Sequence, residues 1–342
     1  MTINGLLKHR ESMLALVIVI LIGAVGVITP DFLLAKSLLG AFNDTSMLMI
    51  LAIGQMLVIL TRCIDLSVAA NLALTGMVVA MINSAMPGVP IPLLIILAMA
   101  MGAVLGAING FFVWKVGVPA IVVTLGTMSI YRGMVFLLSD GAWVNAHQMS
   151  ASFIDFPRNT LMGLPVMSWI ALGVVVLLFF VTRHLRFGRD FYTAGGNPTA
   201  AFYTGINVGQ VQFKAFVISG MLAGLCGYLW VSRYAVAYVD VASGFELQVV
   251  AACVIGGVSI MGGLGTILGC VLGALFLGVI NNALPVIGVS PFWQMAISGA
   301  VIIIAVIANA KAERAPGRII LRRAVTGAAD VNPTTATAVA KS

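Results

Sequence analysis

The sequence predicts an all-α polytopic membrane protein of about ten transmembrane helices, built as an inverted five-helix repeat with both termini in the cytoplasm. Three observations predict it. Of the 342 residues, 61% are hydrophobic and only 8% charged, whereas soluble domains carry about 25% charged residues; the mean hydropathy is +1.11. The apolar residues fall into runs close to the roughly 20 residues that cross about 30 Å of hydrocarbon. Most Lys and Arg lie in segments between alternate runs, where such residues are retained on the cytoplasmic side during insertion. The net charge of +7 thus follows from membrane topology and does not call for a nucleic-acid partner.

The first span runs from Ser12 to Thr29 behind Lys8, His9 and Arg10. No small-residue cleavage site follows it, so it reads as an uncleaved helix with its N-terminus inside. The second, Leu39 to Leu60, ends at Arg62. The third, from Cys63 to Asn83, contains Asp65, Ser67, Asn71 and Thr75. Ile91 to Trp114 and Val118 to Leu138 are the fourth and fifth, and a polar outer stretch extends from Ser139 to Gly163. Pro165 to Thr182 is the sixth, Phe213 to Trp230 the seventh, Phe245 to Met261 the eighth, Gly265 to Leu284 the ninth and Phe292 to Ala308 the tenth. This threading leaves Lys36, Arg132, Arg158 and Arg233 outside and the other fourteen cationic residues inside. Residues 1–310 form the transmembrane domain; 311–342 read as a polar, disordered cytoplasmic tail. The Gly and polar content of the third and eighth spans also fits broken or re-entrant helices.

The longest polar segment inside this pattern is Arg183 to Gln212, flanked by Arg183, His184, Arg186, Arg189 and Lys214. Asn197 can cap a short helix with Pro198 at its first position. Thr199, Ala200, Ala201, Phe202 and Tyr203 continue it, and Gly205 supplies a left-handed end. A short surface helix between two spans suits docking of a soluble partner; a solvated loop is the alternative.

Two patterns bear on packing. Asp65-Leu-Ser-Val-Ala-Ala aligns with Glu246-Leu-Gln-Val-Val-Ala, and Val104-Leu-Gly-Ala with Val271-Leu-Gly-Ala. Five crossings separate the copies, so the second is inverted, with Asp65 near the inner face and Glu246 near the outer; chance likeness between Leu/Val/Gly-rich helices is the competing explanation. Gly265, Gly269 and Gly273 recur every four residues, as do Gly102 and Gly106, and so permit close helix approach.

Polar residues within the spans, among them Asp65, Asn71, Thr75, Thr124, Asn281 and Asn282, are candidates for a translocation pathway or for interhelical hydrogen bonds. No chain of carboxylates or histidines suggests a proton relay. The stretch Gly262 to Gly269 lacks both phosphate-loop and dinucleotide spacing, so no nucleotide or other cofactor site is expected. Cys63, Cys226, Cys253 and Cys270 are scattered without metal-ligand spacing, and no metal is expected.

The segments CIDLSVAANLALTGMVVA, VPAIVVTLGTMSIYRGMVFLLSDG, GRDFYTAGGNPTAAFYTGINV and GGVSIMGGLGTILGCVLGALFLGVINNAL together resemble the permease subunits of ribose-type ABC importers. The resemblance implies a non-enzymatic subunit of the bacterial inner membrane, paired with a second permease subunit as homodimer or heterodimer. It also implies a cytoplasmic ABC ATPase and a periplasmic sugar-binding protein as partners. The implied cargo is a neutral monosaccharide of the ribose, rhamnose or xylose class, or autoinducer-2. In that family the cytoplasmic loop carries the coupling helix, similar to an EAA-type motif. Carried onto this chain, Ala200-Ala201 and Gly205 match, whereas Thr199 stands where the motif has Glu. The resemblance also makes Arg233, Arg158 and Lys36 candidates for docking the binding protein, though ordinary surface charges would look the same. An ion-coupled secondary sugar transporter or a channel remains the alternative class.

Overall fold

The computed structural model describes residues 10–290 and a few isolated helical positions beyond them. Apart from those positions, the tenth predicted span lies outside the described residues, as does the tail 311–342. The protein is an all-α polytopic membrane protein, with eight helices among the described residues long and apolar enough to cross a bilayer. These are α1 (Arg10–Ile28), α2 (Ala35–Leu60), α3 (Val68–Ala85), α4 (Ile91–Phe111, prolonged by a π-helical turn Phe112–Val116), α5 (Ala120–Ser139), α7 (Val166–His184), α10 (Val208–Tyr234) and α12 (Ile267–Val286). Between them lie four shorter helices, α6 (Ala151–Asp155), α8 (Arg186–Gly196), α9 (Pro198–Tyr203) and α11 (Phe245–Ile255).

Helices α2 and α10 form the centre. From Met47 to Leu60 every residue of α2 is buried, which explains why this run has no polar face. α10 packs against α4, α3 and α2, while α12 packs against α2, α11 and α1. α4 thus lies on α10, and α12 on α2. α1, α4, α5 and α7 turn large apolar side chains outward, among them Val27, Leu137 and Val176, as a bilayer requires of its outer ring.

Glycine fixes the closest crossing. A Cβ at Gly102 would collide with the Gly220 carbonyl, and one at Gly220 with that of Gly102; Gly106 meets Phe216 and Gly224 meets Ala98 in the same way. The backbones of α4 and α10 therefore touch directly, and dispersion contacts replace the hydrophobic drive that lipid cannot supply. Gly269 and Gly273 repeat the device between α12 and the Gly256 and Ala252 carbonyls of α11. Gly265 does not join them. It precedes the helix, which Thr266 caps through the Gly269 N–H, and stands at φ +151.

Two predicted spans are corrected. The third starts at Val68, because Arg62 takes a left-handed φ of +64 and Asp65 and Ser67 organise a non-helical lead. The eighth is only the eleven-residue α11, too short to cross; Gly256 to Gly265 break it in a turn containing four left-handed glycines. Both are the breaks foreshadowed by their Gly and polar content. The polar loop also hides α8, whose Phe191, Ala194 and Gly195 are buried, and α10 begins at Val208, five residues earlier than expected.

At one end of the bundle, two short antiparallel ribbons close the loops. β1 (Val144–Asn145) pairs with β4 (Val236–Ala237), and β2 (Thr160–Leu161) with β3 (Leu164–Pro165). Arg132 donates to the Val239 carbonyl at 2.9 Å and the Val241 carbonyl at 2.6 Å, clamping the α10–α11 loop onto α5. The α8–α9 segment lies at the opposite end.

The glycine crossing makes a direct prediction. Gly220→Leu should lower the thermal unfolding midpoint in detergent, with an overpacking cost of about 1–3 kcal/mol. Gly173→Leu should leave it unchanged, since nothing lies within 4 Å of a Cβ there.

Candidate functional site

The α8–α9 segment is built from local chemistry. Asn197 is extended and its Oδ1 accepts from the Ala200 N–H at 3.0 Å, satisfying one orphan donor of α9. Pro198 takes the first helical position and Gly205 the left-handed exit at φ +84. Ala201 is buried, whereas Phe202 and Tyr203 are 71% and 82% exposed. Two large aromatic side chains in solvent beside a groove of about 400 Å³, lined by Phe202, Gly205, Ile206 and Asn207, constitute a ready contact surface. The opposite side of α8 is dry, and burial raises the Tyr192 phenol above its usual pKa.

This segment is tied to the bundle by a junction that sequence reasoning missed. Arg62, read only as a topology marker, donates from Nε to the Gly195 carbonyl at 2.6 Å and from Nη2 to the Gly196 carbonyl at 3.1 Å. The Gly263 N–H donates to the Leu60 carbonyl at 2.9 Å. A Cβ on Gly195 would collide with that same carbonyl, and one on Gly263 with Gly196. The end of α2, the end of α8 and the α11–α12 turn therefore meet backbone to backbone. Gln212 adds a bond from α10 to the Thr61 carbonyl at 3.2 Å, and Trp114 packs on Phe213 at 5.6 Å. A cation beside a Gly-Gly pair far along the chain was the available signal, but pairing over more than a hundred residues cannot be read from spacing.

The candidate pathway residues separate into two groups. Asp65, Asn71, Thr75 and Thr124 are buried between helices. Asp65 Oδ1 accepts from the Ser67 N–H at 2.9 Å and the Ser67 hydroxyl at 2.7 Å, and Ser67 Oγ accepts from Asn109 at 2.8 Å. Gln55, oriented so that its oxygen accepts from the Asp65 N–H and its nitrogen donates to the Asp65 carbonyl, completes the set at 3.1 and 3.2 Å. Asn71 donates to the Gly102 carbonyl at 3.2 Å, while Thr75 and Thr124 donate to carbonyls one turn back. Thr124 also donates to the Ile64 carbonyl at 3.3 Å, so Asp65, Asn71 and Thr124 join the α3 break to its neighbours, whereas Thr75 bonds within α3. Asn281 and Asn282 instead line a cavity at the far end.

At that far end Arg233 is not a free cation. Its Nη2 pairs with Asp44 Oδ1 at 2.8 Å, and its carbonyl accepts from Arg158 at 2.7 Å. Arg158 and Lys36 are exposed. The docking candidates thus share one end, with Arg233 joining α10 to α2 and only Arg158 and Lys36 reaching outward.

A helical membrane domain with polar groups buried at a helix break, a cavity at one end and, at the other, an exposed short helix next to a clasped one has the anatomy of a solute permease. The family model described as "Branched-chain amino acid transport system / permease component" matches residues 37–306. The ribose import permease protein of Escherichia coli (strain K12) is 37% identical over 310 residues, covering 89% of this chain and 94% of the relative. The D-allose transport system permease protein of the same strain is 37% identical over 292 residues, 85% and 88% of the two chains. The autoinducer 2 import system permease protein of Enterobacter sp. (strain 638) is 35% identical over 299 residues, 87% and 86%. No solved structure matches. The chain belongs to the family of ribose-type ABC import permeases, as its motifs imply, and is a multi-pass inner-membrane transport subunit, with ATP hydrolysis on a separate subunit.

The junction predicts that Arg62→Ala will speed amide hydrogen exchange at 193–197 and 260–264 by about tenfold or more, through the loss of its two charge-assisted hydrogen bonds. Arg62→Lys should restore protection only in part, because one ammonium cannot span two carbonyls as a guanidinium does. Exchange at wild-type rates in Arg62→Ala would show that the clasp contributes nothing.

Proposed function

We propose that this chain is the membrane path of an importer for a neutral monosaccharide of the ribose, xylose or rhamnose class, delivered by a periplasmic binding protein and driven by a cytoplasmic ABC ATPase. The observation that carries the reading is the exposed Phe202–Tyr203 pair on α9, directly after α8, whose end is clasped to two other chain segments by Arg62, Gly195 and Gly263. A docking element must present apolar surface to its partner and be rigidly joined to what it moves. In this reading residues 183–212 are the coupling segment on the cytoplasmic side. Asn197, Pro198, Thr199, Ala200 and Gly205 shape it, and Tyr203 with Phe202 fills an ATPase groove in place of the charged residue that the family motif has at position 199.

The far end then faces the periplasm. Arg158 and Lys36 meet acidic groups on the binding protein, and Arg233, fixed by Asp44, sets the shape of that surface; such charges govern orientation and association rate. A second permease subunit, identical or not, covers part of the outward apolar ring. Residues 1–310 form the membrane domain and 311–342 a cytoplasmic tail. Alternating access follows when ATPase closure shifts α8–α9 and, through the clasp, the ends of α2 and α11. Asp65, Asn71 and Thr124 hold the moving helices, Thr75 lies buried beside them, and Asn281 and Asn282 border the route.

The monosaccharide class rests on relatives named for ribose and allose. A second reading, autoinducer-2 as cargo, is favoured by relatives of nearly equal identity. An ion-coupled transporter has less support. Asp65 is held by Ser67 near the α8–α9 end, and Glu246 sits in the first turn of α11 at the other, so the two carboxylates do not form one ion site.

Reconstituted with its ATPase and binding protein, the chain should take up D-ribose or a related sugar only with ATP and continue when ion gradients are collapsed. Uptake that follows the gradient and ignores ATP would refute the reading. Replacing Phe202 and Tyr203 together by Ala should lower both ATPase co-purification and uptake by about tenfold or more, the loss of an aromatic hot spot. Unchanged values would remove the pair from the docking surface.

A further inference from the structure

The far end holds a cavity of about 230 Å³ between α2, α10, α11 and α12, lined by Asp44, Thr45, Trp230, Tyr234, Asn281 and Asn282, with Phe245 and Gly278. Its position is fixed from below. A Cβ on Gly278 would collide with Thr45, so α12 and α2 touch there. Asn281 and Asn282, three and four residues on, share that helix face. One wall is aromatic: Trp230 lies 5.1 Å from Tyr234 and 5.1 Å from Phe245, ring centre to ring centre. The other carries the Asp44 carboxylate and the two amides. Asn282 donates one hydrogen to the Gly278 carbonyl at 2.9 Å, and a primary amide has a second N–H and an acceptor oxygen beyond it. Because Arg233 neutralises Asp44, the cavity offers acceptors and donors without net charge.

We propose that this cavity is a monosaccharide subsite within the permease itself, where sugar leaving the binding protein rests before crossing. The inference builds on the transport reading above. An apolar ring wall opposite a few polar groups is the arrangement that recognises a sugar, whose C–H face is apolar and whose rim is hydroxylated. A neutral polar lining disfavours cations and anions alike. The volume falls below the roughly 300–1,000 Å³ of drug-sized sites and suits a single ring. Asp44 and Asn282 also line a neighbouring cavity of about 320 Å³ with Asp31, Ser37 and Gly40, so these two residues form the partition between an outer vestibule and the subsite.

The test is saturation-transfer NMR on the full chain in nanodiscs, without binding protein, using D-ribose, D-allose and L-rhamnose as probes. Wild type should transfer magnetisation to at least one sugar with a Kd of about 1 mM, the weak affinity that a site of passage needs. Trp230→Leu and Asn282→Leu should each weaken it about tenfold, with Trp230→Phe retaining most of it. Circular dichroism and elution profile identify any variant that fails to fold, in which case Trp230→Phe against Asn282→Ser decides. No transfer from wild type to any of the three sugars, or equal transfer in folded variants, would overturn the proposal. ATP-driven uptake by wild type with no such binding sinks the subsite alone, whereas absence of ATP-driven uptake sinks the transport reading.

Discussion

The structure depends on one contact made without side chains. Where α2 ends, the Leu60 carbonyl accepts the Gly263 N–H, and Gly195 lies against the same carbonyl with no room for a Cβ. Backbone-to-backbone contact of this kind is short and stiff, and glycine is the residue that allows it. α2 is the most enclosed spanning helix among the described residues, so whatever holds its end holds the core. The α11–α12 turn and the α8–α9 segment are attached at that point, and Arg62 locks the second of them through two carbonyls.

From this junction the buried polar groups acquire a common purpose. Asp65, Ser67, Asn109 and Gln55 form a bonded set across the break that opens α3. In a dry interior each unsatisfied group would cost several kcal/mol, so a break in a helix persists only where such partners are present. The break and the shortened α11 are two places among the described residues where the bundle departs from plain spanning helices, and both adjoin the junction. The far end is organised differently, by ion pairing of Asp44 with Arg233 and by aromatic packing around Trp230, and there the bundle leaves open space.

Much of this was legible in the residues. Hydropathy and charge placed the long spans, because lipid imposes length and composition on every one of them. Asn197-Pro198 and Gly205 announced α9, because caps act within a few residues. What escaped depended on distance. α8 reads as a polar loop, yet Phe187 and Phe191 stack edge to face at 5.1 Å on a face that meets protein instead of lipid. Arg62 looks like a boundary marker until Gly195 is placed beside it. Asp65 and Asn71 read equally as pathway residues or as interhelical ties, and their bonds to Ser67 and the Gly102 carbonyl could not be read from spacing. Gly265 kept the four-residue spacing of its neighbours but fell outside the helix, since Thr266 caps α12 one residue later.

The central claim is that α8–α9 and the α11–α12 turn move as one body, so that work done on the exposed aromatic helix reaches the core. Spin labels at Thr199 and Met261 in the complex with its ATPase measure this directly by pulsed electron resonance. The account predicts one narrow distance distribution that is the same without nucleotide and with bound ATP, while the distance from Thr199 to a label at Lys36 changes. A Thr199–Met261 distance that broadens or shifts with ATP would mean that the junction yields, and that force applied at α9 travels another way.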